Sequence, residues 1–414
     1  MTTIMTFQSV AEVRRRFPAF ERQINGRPVA YFDAPGGTQV PRSVADAVRD
    51  YLLHHNANTH WAFPTSAETD AMIVRAREAA ADLLGASAGE IAFGANMTTL
   101  TFHLARALGR QWGPGDEVLV TELDHHANVA PWRALARERG ITVRAVPLAT
   151  DRRTLDMAAL QQMLGPRTRL VAVGAASNAI GTVTDPAPIA GLVHGAGALL
   201  FTDAVHYAPH ELVDVRAMGS DFLACSAYKF CGPHVGILFV QKGIAEALDV
   251  PKLEPAPDTA PERFETGTLN HEGIAGVEAA VNFLAELGGA EGDRRHRLEA
   301  SYAWLHTQGE RLFRQMWEGL AAIPEVTLYG YAPGLARRTP TVAFTVGNLP
   351  SSAVASALAE DGVFVSDGDF YASTVVERLG LKQRGLVRAG CACYTSEEEV
   401  ERLVEGVKKV KAKA

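Results

Sequence analysis

Asp221-Phe222-Leu223-Ala224-Cys225-Ser226-Ala227-Tyr228-Lys229, followed by Phe230-Cys231-Gly232-Pro233, carries a lone lysine out of an apolar, strand-like run into a turn of small residues. A lysine held against buried surface loses solvation, and that loss lowers its pKa until it is a usable amine. Schiff-base chemistry needs such an amine. Taken alone, the pattern fits a surface lysine at a strand end equally well. Upstream, however, Leu199-Leu200-Phe201-Thr202-Asp203 is a second apolar strand, and it ends in an acid. Pyridoxal 5'-phosphate requires this pair: a lysine for its aldehyde and a carboxylate for its pyridinium nitrogen.

Working outward, short apolar runs alternate with helical patterns from about Glu90 to Val240. Candidate strands are Ile91–Phe93, Glu117–Val120, Thr142–Val146, Leu170–Val173, Ala198–Phe201, Phe222–Ala224 and Gly236–Val240, the last reading as a hairpin return. That rhythm predicts an α/β fold with a large, mainly parallel seven-stranded sheet between helices. Ligands on such sheets bind outside the carboxyl ends of the strands, where Asp203, Lys229 and His125 fall. No G-x-G-x-x-G follows the first strand, so a dinucleotide fold has little support. Beyond the helical stretch Gly273–Leu287, a helix over Glu299–Leu320 leads into strands near Val326–Leu328, Val342–Val346, Val363–Val365 and Leu386–Ala389. A helix is expected at Ala353–Glu360 and another at Ser396–Lys413. The expected division is a large domain of residues 31–288 and a smaller α+β domain built from residues 1–30 and 289–414, the first segment packing on the smaller unit.

The 414 residues are 47% hydrophobic and 21% charged, an ordinary globular balance. A net charge of -7 argues against nucleic acid as a partner. No run of eighteen apolar residues suggests a membrane span, and Met1–Met5 carries no basic head with an apolar core behind it. Cys225, Cys231, Cys391 and Cys393 form no C-x-x-C pair and match no zinc spacing. A reduced, cytoplasmic setting is the simplest expectation.

Other candidates gather at the strand ends. The turn Gly94-Ala95-Asn96-Met97 leads through Thr98 and Thr99 into a helix, where free amides and hydroxyls favour a phosphate; Thr98 could equally be only a helix cap. In Asp124-His125-His126-Ala127-Asn128, one imidazole could lie flat on a pyridine ring, or the pair could be ordinary loop histidines. No third ligand at a suitable spacing supports a metal there. Asn178 could donate to a cofactor oxygen or a substrate carboxylate, and His206 shares the loop of Asp203.

Taken in order, these segments resemble class V aminotransferase-fold enzymes, pyridoxal phosphate-dependent transferases of fold type I. The likeness is strongest to the cysteine desulfurases and selenocysteine lyases of the sulfur-mobilisation branch. It runs through Tyr31-Phe32-Asp33, Asn56–His60, Asp124–Asn128, Ser177–Thr182, Asp203–His206, Ser226–Lys229, Arg263–Thr268 and Arg388-Ala389 with Tyr394-Thr395. The resemblance implies that Lys229 binds the cofactor aldehyde, Asp203 pairs with the ring nitrogen and His125 stacks on the ring. It implies that His206, where the family often has glutamine, bonds the phenolic oxygen. Thr99, Ser226 and Tyr228 would hold the phosphate beside the Thr98 of the helix start, the family usually having histidine at the Tyr228 position. Thr268 would reach the neighbouring subunit's phosphate, implying a homodimer with shared active sites. Arg388 would clamp a substrate carboxylate, with Asn178, His60 and Tyr371 beside the substrate.

Two departures stand out. The family's nucleophilic cysteine sits on a loop that aligns with Val363–Ala372; Tyr371 falls at its position, and Ser366 replaces an arginine. Ala34-Pro35-Gly36-Gly37 stands where the family has an alanine-rich run. A phenol cannot accept sulfur to form a persulfide, whereas a thiolate can. Strand alternation points Cys391 and Cys393 away from the face of Arg388, as core thiols. The leading expectation is therefore β-elimination from a cysteine-like or S-conjugated amino acid. Amino transfer, epimerisation, desulfuration by a displaced cysteine and a cofactor-binding protein without turnover stay open.

Overall fold

In a computed structural model, residues 8–412 of the chain are described. Met1–Met5 and Lys413 lie outside them, with the expectations that fall there.

Strands β1 (Ile91–Gly94), β2 (Glu117–Thr121), β3 (Thr142–Val146), β4 (Thr168–Gly174), β5 (Leu199–Asp203), β6 (Phe222–Ser226) and β7 (Gly236–Val240) form one sheet in the order β1-β7-β6-β5-β4-β2-β3. Only β7 runs against its neighbours, as the hairpin reading expected. Each strand lies within about two residues of its predicted run. The strands read as continuous apolar runs because both faces are covered. On β6, Phe222 and Ala224 enter one core with Trp132 and Leu104, while Leu223 and Cys225 enter the opposite core with Phe283 and Tyr302. That is strand alternation with both faces buried. Helix α1 (Met97–Gly109) covers the first face, and α2 (His271–Glu286) belongs to the second.

The smaller unit holds the long helix α3 (Arg294–Ala321), a four-stranded antiparallel sheet and the terminal helix α4 (Glu397–Ala412). Its strands are β8 (Val326–Tyr329), β9 (Thr341–Val346), β10 (Ser366–Gly368) and β11 (Leu386–Gly390), in the order β8-β9-β11-β10. The predicted strand Val363–Val365 ends at Phe364, and a second, unpredicted strand begins at Ser366. Val363 and Phe364 pair in parallel with Ala30 and Tyr31, and the chain then turns to pair Ser366–Gly368 with β11. The break lets one extended segment serve two sheets and sends residues 369–371 toward the large sheet. Of the N-terminal segment, Val13 and Phe17 share a core with Phe283 of α2 and Tyr394 beyond β11. Arg14 pairs with Glu399 of α4, and Arg16 with Glu286 of α2. The segment thus ties both units together.

Candidate active site

Parallel pairing aligns the carboxyl ends of the central strands: Gly174 faces Asp203, and Asp203 faces Ala224. A cavity of about 770 Å3 opens there, within the usual size of small-molecule sites. Its lining brings Lys229, Asp203, His125, His206, Asn178, Thr98, Ser226, Tyr228, Tyr371 and Arg388 together from strands and loops far apart in sequence.

Lys229 ends a single turn, Ala227–Lys229, that follows β6 directly. It is buried, and its Nζ donates to the carbonyl of Pro35. Burial, then the charge of Arg388, pushes its pKa down to about 7, while Asp203 opposes the shift. Half of such a side chain is a free amine near neutral pH. That carbonyl belongs to the run Ala34-Pro35-Gly36-Gly37. Gly37 lies against Tyr228, whose ring would sit 3.2 Å from an added Cβ.

Asp203 is buried, with Oδ1 accepting from the Val205 amide at 2.9 Å. Burial raises its pKa to about 6, so a cation placed beside it would favour the carboxylate. His125 has its pKa lowered to about 4, by burial first and then by Lys229. Its Nδ1 accepts from the Ala127 amide at 3.0 Å, which leaves the proton of the neutral ring on Nε2. His206 is neutral too: burial holds it well below the ordinary range. Its Nε2 meets Thr339 Oγ1 at 3.0 Å and Thr341 Oγ1 at 3.3 Å, while Nδ1 has no partner.

An anion cradle closes one end. Asn96, not Thr98, caps α1, accepting from the Thr99 amide at 2.9 Å. The Met97 amide donates to Ser226 Oγ at 3.0 Å, so the serine proton is free for another acceptor. The turn packs so closely on β7 that a Cβ on Gly236 would lie 2.5 Å from the Asn96 carbonyl carbon. Tyr228 stacks on His234, ring centroids 4.9 Å apart. His234 lines the cavity and was missed in the sequence, where nothing sets it apart from a turn residue.

Arg388, on β11, closes the opposite side. Nη1 donates to the Asn178 carbonyl at 2.7 Å. Burial lowers its pKa to about 9, leaving it a cation. Asn178 Nδ2 donates to the Phe370 carbonyl at 2.9 Å, and Asn178 Oδ1 is buried without a partner. Tyr371 is 74% exposed at the mouth, 5.6 Å from the His125 ring.

Three predicted residues are absent from this cavity. Thr99 and Thr268 line a separate cleft of about 260 Å3 that meets the cavity at Ala95. His60 is exposed and pairs with Asp70 at 3.2 Å. All four cysteines are buried and free. Cys391 packs with Met316 in the smaller core; burial raises the pKa of Cys225 and Cys391, and the hydrogen bond with Cys231, then burial, raises that of Cys393. Among the described residues no cysteine lines the 770 Å3 cavity, no cluster of ligands could hold a metal ion, and no helix is long and apolar enough to cross a membrane.

The family model for aminotransferase class-V matches residues 30–403. The chain belongs to that family. Its members depend on pyridoxal phosphate. A cysteine desulfurase of Dickeya dadantii (strain 3937) is 32% identical over 97% of this chain and 96% of its own length. One of Klebsiella pneumoniae (strain 342) is 33% identical over 98% and 99%. Among solved structures, a cysteine desulfurase from Thermococcus onnurineus NA1 superposes with a TM-score of 0.89 at 26% identity, covering 99% of this chain and all of that one. The CsdA cysteine desulfurase of Escherichia coli superposes at 0.84 with 27% identity, covering 98% and 99%. This class V fold agrees with the α/β architecture expected from the strand pattern.

Proposed function

We propose that this class V protein is a pyridoxal phosphate enzyme that cleaves the C–S bond of a cysteine-like amino acid by β-elimination. One observation carries the reading: Lys229, Asp203 and the buried cation Arg388 share a cavity in which Tyr371, and no cysteine, stands at the mouth. The residues fit the cofactor. Buried polar atoms without partners, Asn178 Oδ1 and His206 Nδ1, belong to residues lining one cavity, and such atoms are costly unless a ligand answers them.

When bound, the cofactor supplies an aldehyde for an amine and a ring that withdraws electrons from the bonds at the amino acid Cα. Asp203 would hold the ring nitrogen in its protonated form, His125 would line the ring, and His206 would offer Nδ1 to its phenolic oxygen. Ser226, Thr98 and Tyr228 would hold the phosphate. Arg388 takes the substrate carboxylate with its planar guanidinium. Lys229, whose lowered pKa leaves a large share of free amine near pH 7, removes the Cα proton and can return it. With Tyr371 at the position of the family's nucleophilic cysteine, sulfur leaves as a free species, and the remaining enamine hydrolyses to a keto acid and ammonia.

We further infer a homodimer. Leu52, Leu53, Trp61 and Phe63 expose large apolar side chains within one short segment, a pattern that marks contact surfaces. His60 lies in that segment, and Thr99 and Thr268 open onto their own cleft, which suits residues serving a neighbouring subunit. Four buried free thiols suit a reducing, cytoplasmic setting.

The test is product analysis after incubating the cofactor-loaded protein with L-cysteine and a reductant. Pyruvate, ammonia and sulfide are expected. Alanine with sulfide would overturn elimination in favour of desulfuration by one of the four cysteines. If neither set forms, S-substituted cysteines are tried next; amino transfer or racemisation as their only outcome would replace the reading.

A further inference from the structure

Arg388 is 4% exposed, yet among the described residues no carboxylate forms an ion pair with it. Asp33 acts on it only at a distance, and Asp33 is itself buried with its pKa raised by burial. Besides the Asn178 carbonyl, its hydrogen-bond partner is Ser366 Oγ, at a long 3.4 Å from Nη2, and Nε has none. Buried guanidinium groups ordinarily have a carboxylate in contact. Here an aromatic face takes that place: Arg388 Cζ lies 4.1 Å from the centroid of the Phe370 ring.

Phe370 reaches this position through an unusual backbone. Phe370 has φ 56° and Tyr371 φ 55°, both in the left-handed region that non-glycine residues seldom occupy. Three hydrogen bonds hold them there. Asn178 Nδ2 donates to the Phe370 carbonyl at 2.9 Å, the His126 amide donates to the Tyr371 carbonyl at 2.7 Å, and the Tyr371 amide donates to Asp369 Oδ1 at 3.0 Å. Two of these donors belong to the large sheet's loops. The same Asn178 thus fixes the loop through its side chain and Arg388 through its carbonyl.

We propose that Phe370 is a positioning residue for substrate recognition: its ring fixes the Arg388 guanidinium in the plane that meets the carboxylate of the amino acid. The proposal rests on the reading of Arg388 as the carboxylate clamp. It goes beyond that reading by assigning the loop facing the sheet a part in binding the carboxylate.

The test is the affinity of the holoenzyme for propionate, a carboxylate without an amine, followed by NMR titration of isotopically labelled ligand. Wild type is compared with Phe370→Leu, Phe370→Tyr and Arg388→Gln. A cation–π contact out of water corresponds to roughly a 3- to 30-fold change in affinity. Phe370→Leu should weaken propionate binding by that factor, and Phe370→Tyr, which keeps the aromatic face, should restore it to within about twofold. Arg388→Gln should weaken it more than either. If Arg388→Gln weakens binding and Phe370→Leu does not, Phe370 has no such role and the clamp stands. Equal weakening by Leu and Tyr would mean the ring acts by shape alone and would overturn the proposal. If Arg388→Gln binds propionate as wild type does, the clamp itself is wrong, and the proposal falls with it.

Discussion

The cavity has two unlike walls. On one, Lys229 and Asp203 stand at or just past the ends of neighbouring strands, held by regular parallel pairing. On the other, Phe370 and Tyr371 sit on a loop of the smaller unit with left-handed backbone, held by hydrogen bonds that cross to the large sheet. The first wall has few ways to move, because a strand end shifts only if its pairing shifts. The second depends on a handful of bonds, each worth about 0.5–1.5 kcal/mol net. Groups that handle protons belong on the first wall. Groups that choose the substrate can change on the second without disturbing the sheet.

Substitutions on the two walls should therefore differ in scale. Asp203→Ala should lower kcat/KM by about 10²–10⁴, the range for loss of a group that supports proton transfer, with Tm little changed. A loss under tenfold would remove Asp203 from the chemistry. Next in size is the reactivity of Lys229. With a pKa of about 7 against an ordinary 10.5, it is mostly neutral at pH 8. In the cofactor-free protein its acylation rate should rise as pH increases through 7 and then level off. At pH 8 it should exceed that of a lysine of the ordinary value 10.5 on the order of a hundredfold, since each pKa unit is a factor of ten in neutral amine. Mass spectrometry of the modified peptides measures both; a rate still climbing at pH 10 would deny the lowered pKa.

The loop wall should respond more gently. Asp369 is exposed beside the mouth, and its charge raises the pKa of His125 and His126 against their burial. With Asp367, it should disfavour substrates bearing a second carboxylate. Changing both to asparagine should improve kcat/KM for a glutamate-like substrate over a neutral one by about 2- to 5-fold, the range of exposed charge pairs. An unchanged ratio would mean the acids face elsewhere. The smallest effect is expected of Tyr371→Phe. At 74% exposure Tyr371 acts as a wall, so removing its hydroxyl should leave kcat within about twofold. A fall of a hundredfold would make it an acid or base and erase the contrast between the walls.

The strand wall was legible from the chain alone because its signals are local. An apolar run ending in Asp203, and another running into Lys229, each occupy nine residues or fewer of contiguous sequence. Alternating strands and helices are enough to bring such ends to one edge of a sheet. His125, Asn178 and His206 were found by the same rule, since each follows a strand directly. Residues whose placement depends on how a turn folds were harder to read. Thr98 read as a possible cap, but the neighbouring Asn96 side chain takes that bond. His234 joins the cavity only because the turn after Lys229 folds it against Tyr228.

The sequence by itself determined the fold class and set Lys229 and Asp203 at strand ends, because strand periodicity and residue chemistry are written in short segments. The tertiary structure alone decided that Val363–Gly368 divides between two sheets and that Pro35 supplies the carbonyl facing Lys229. It also decided that Phe370 covers Arg388 and that His60, Thr99 and Thr268 lie outside the cavity. Each depends on segments far apart in the chain that meet only in the folded protein, and burial and hydrogen-bond partners at such junctions have no local code.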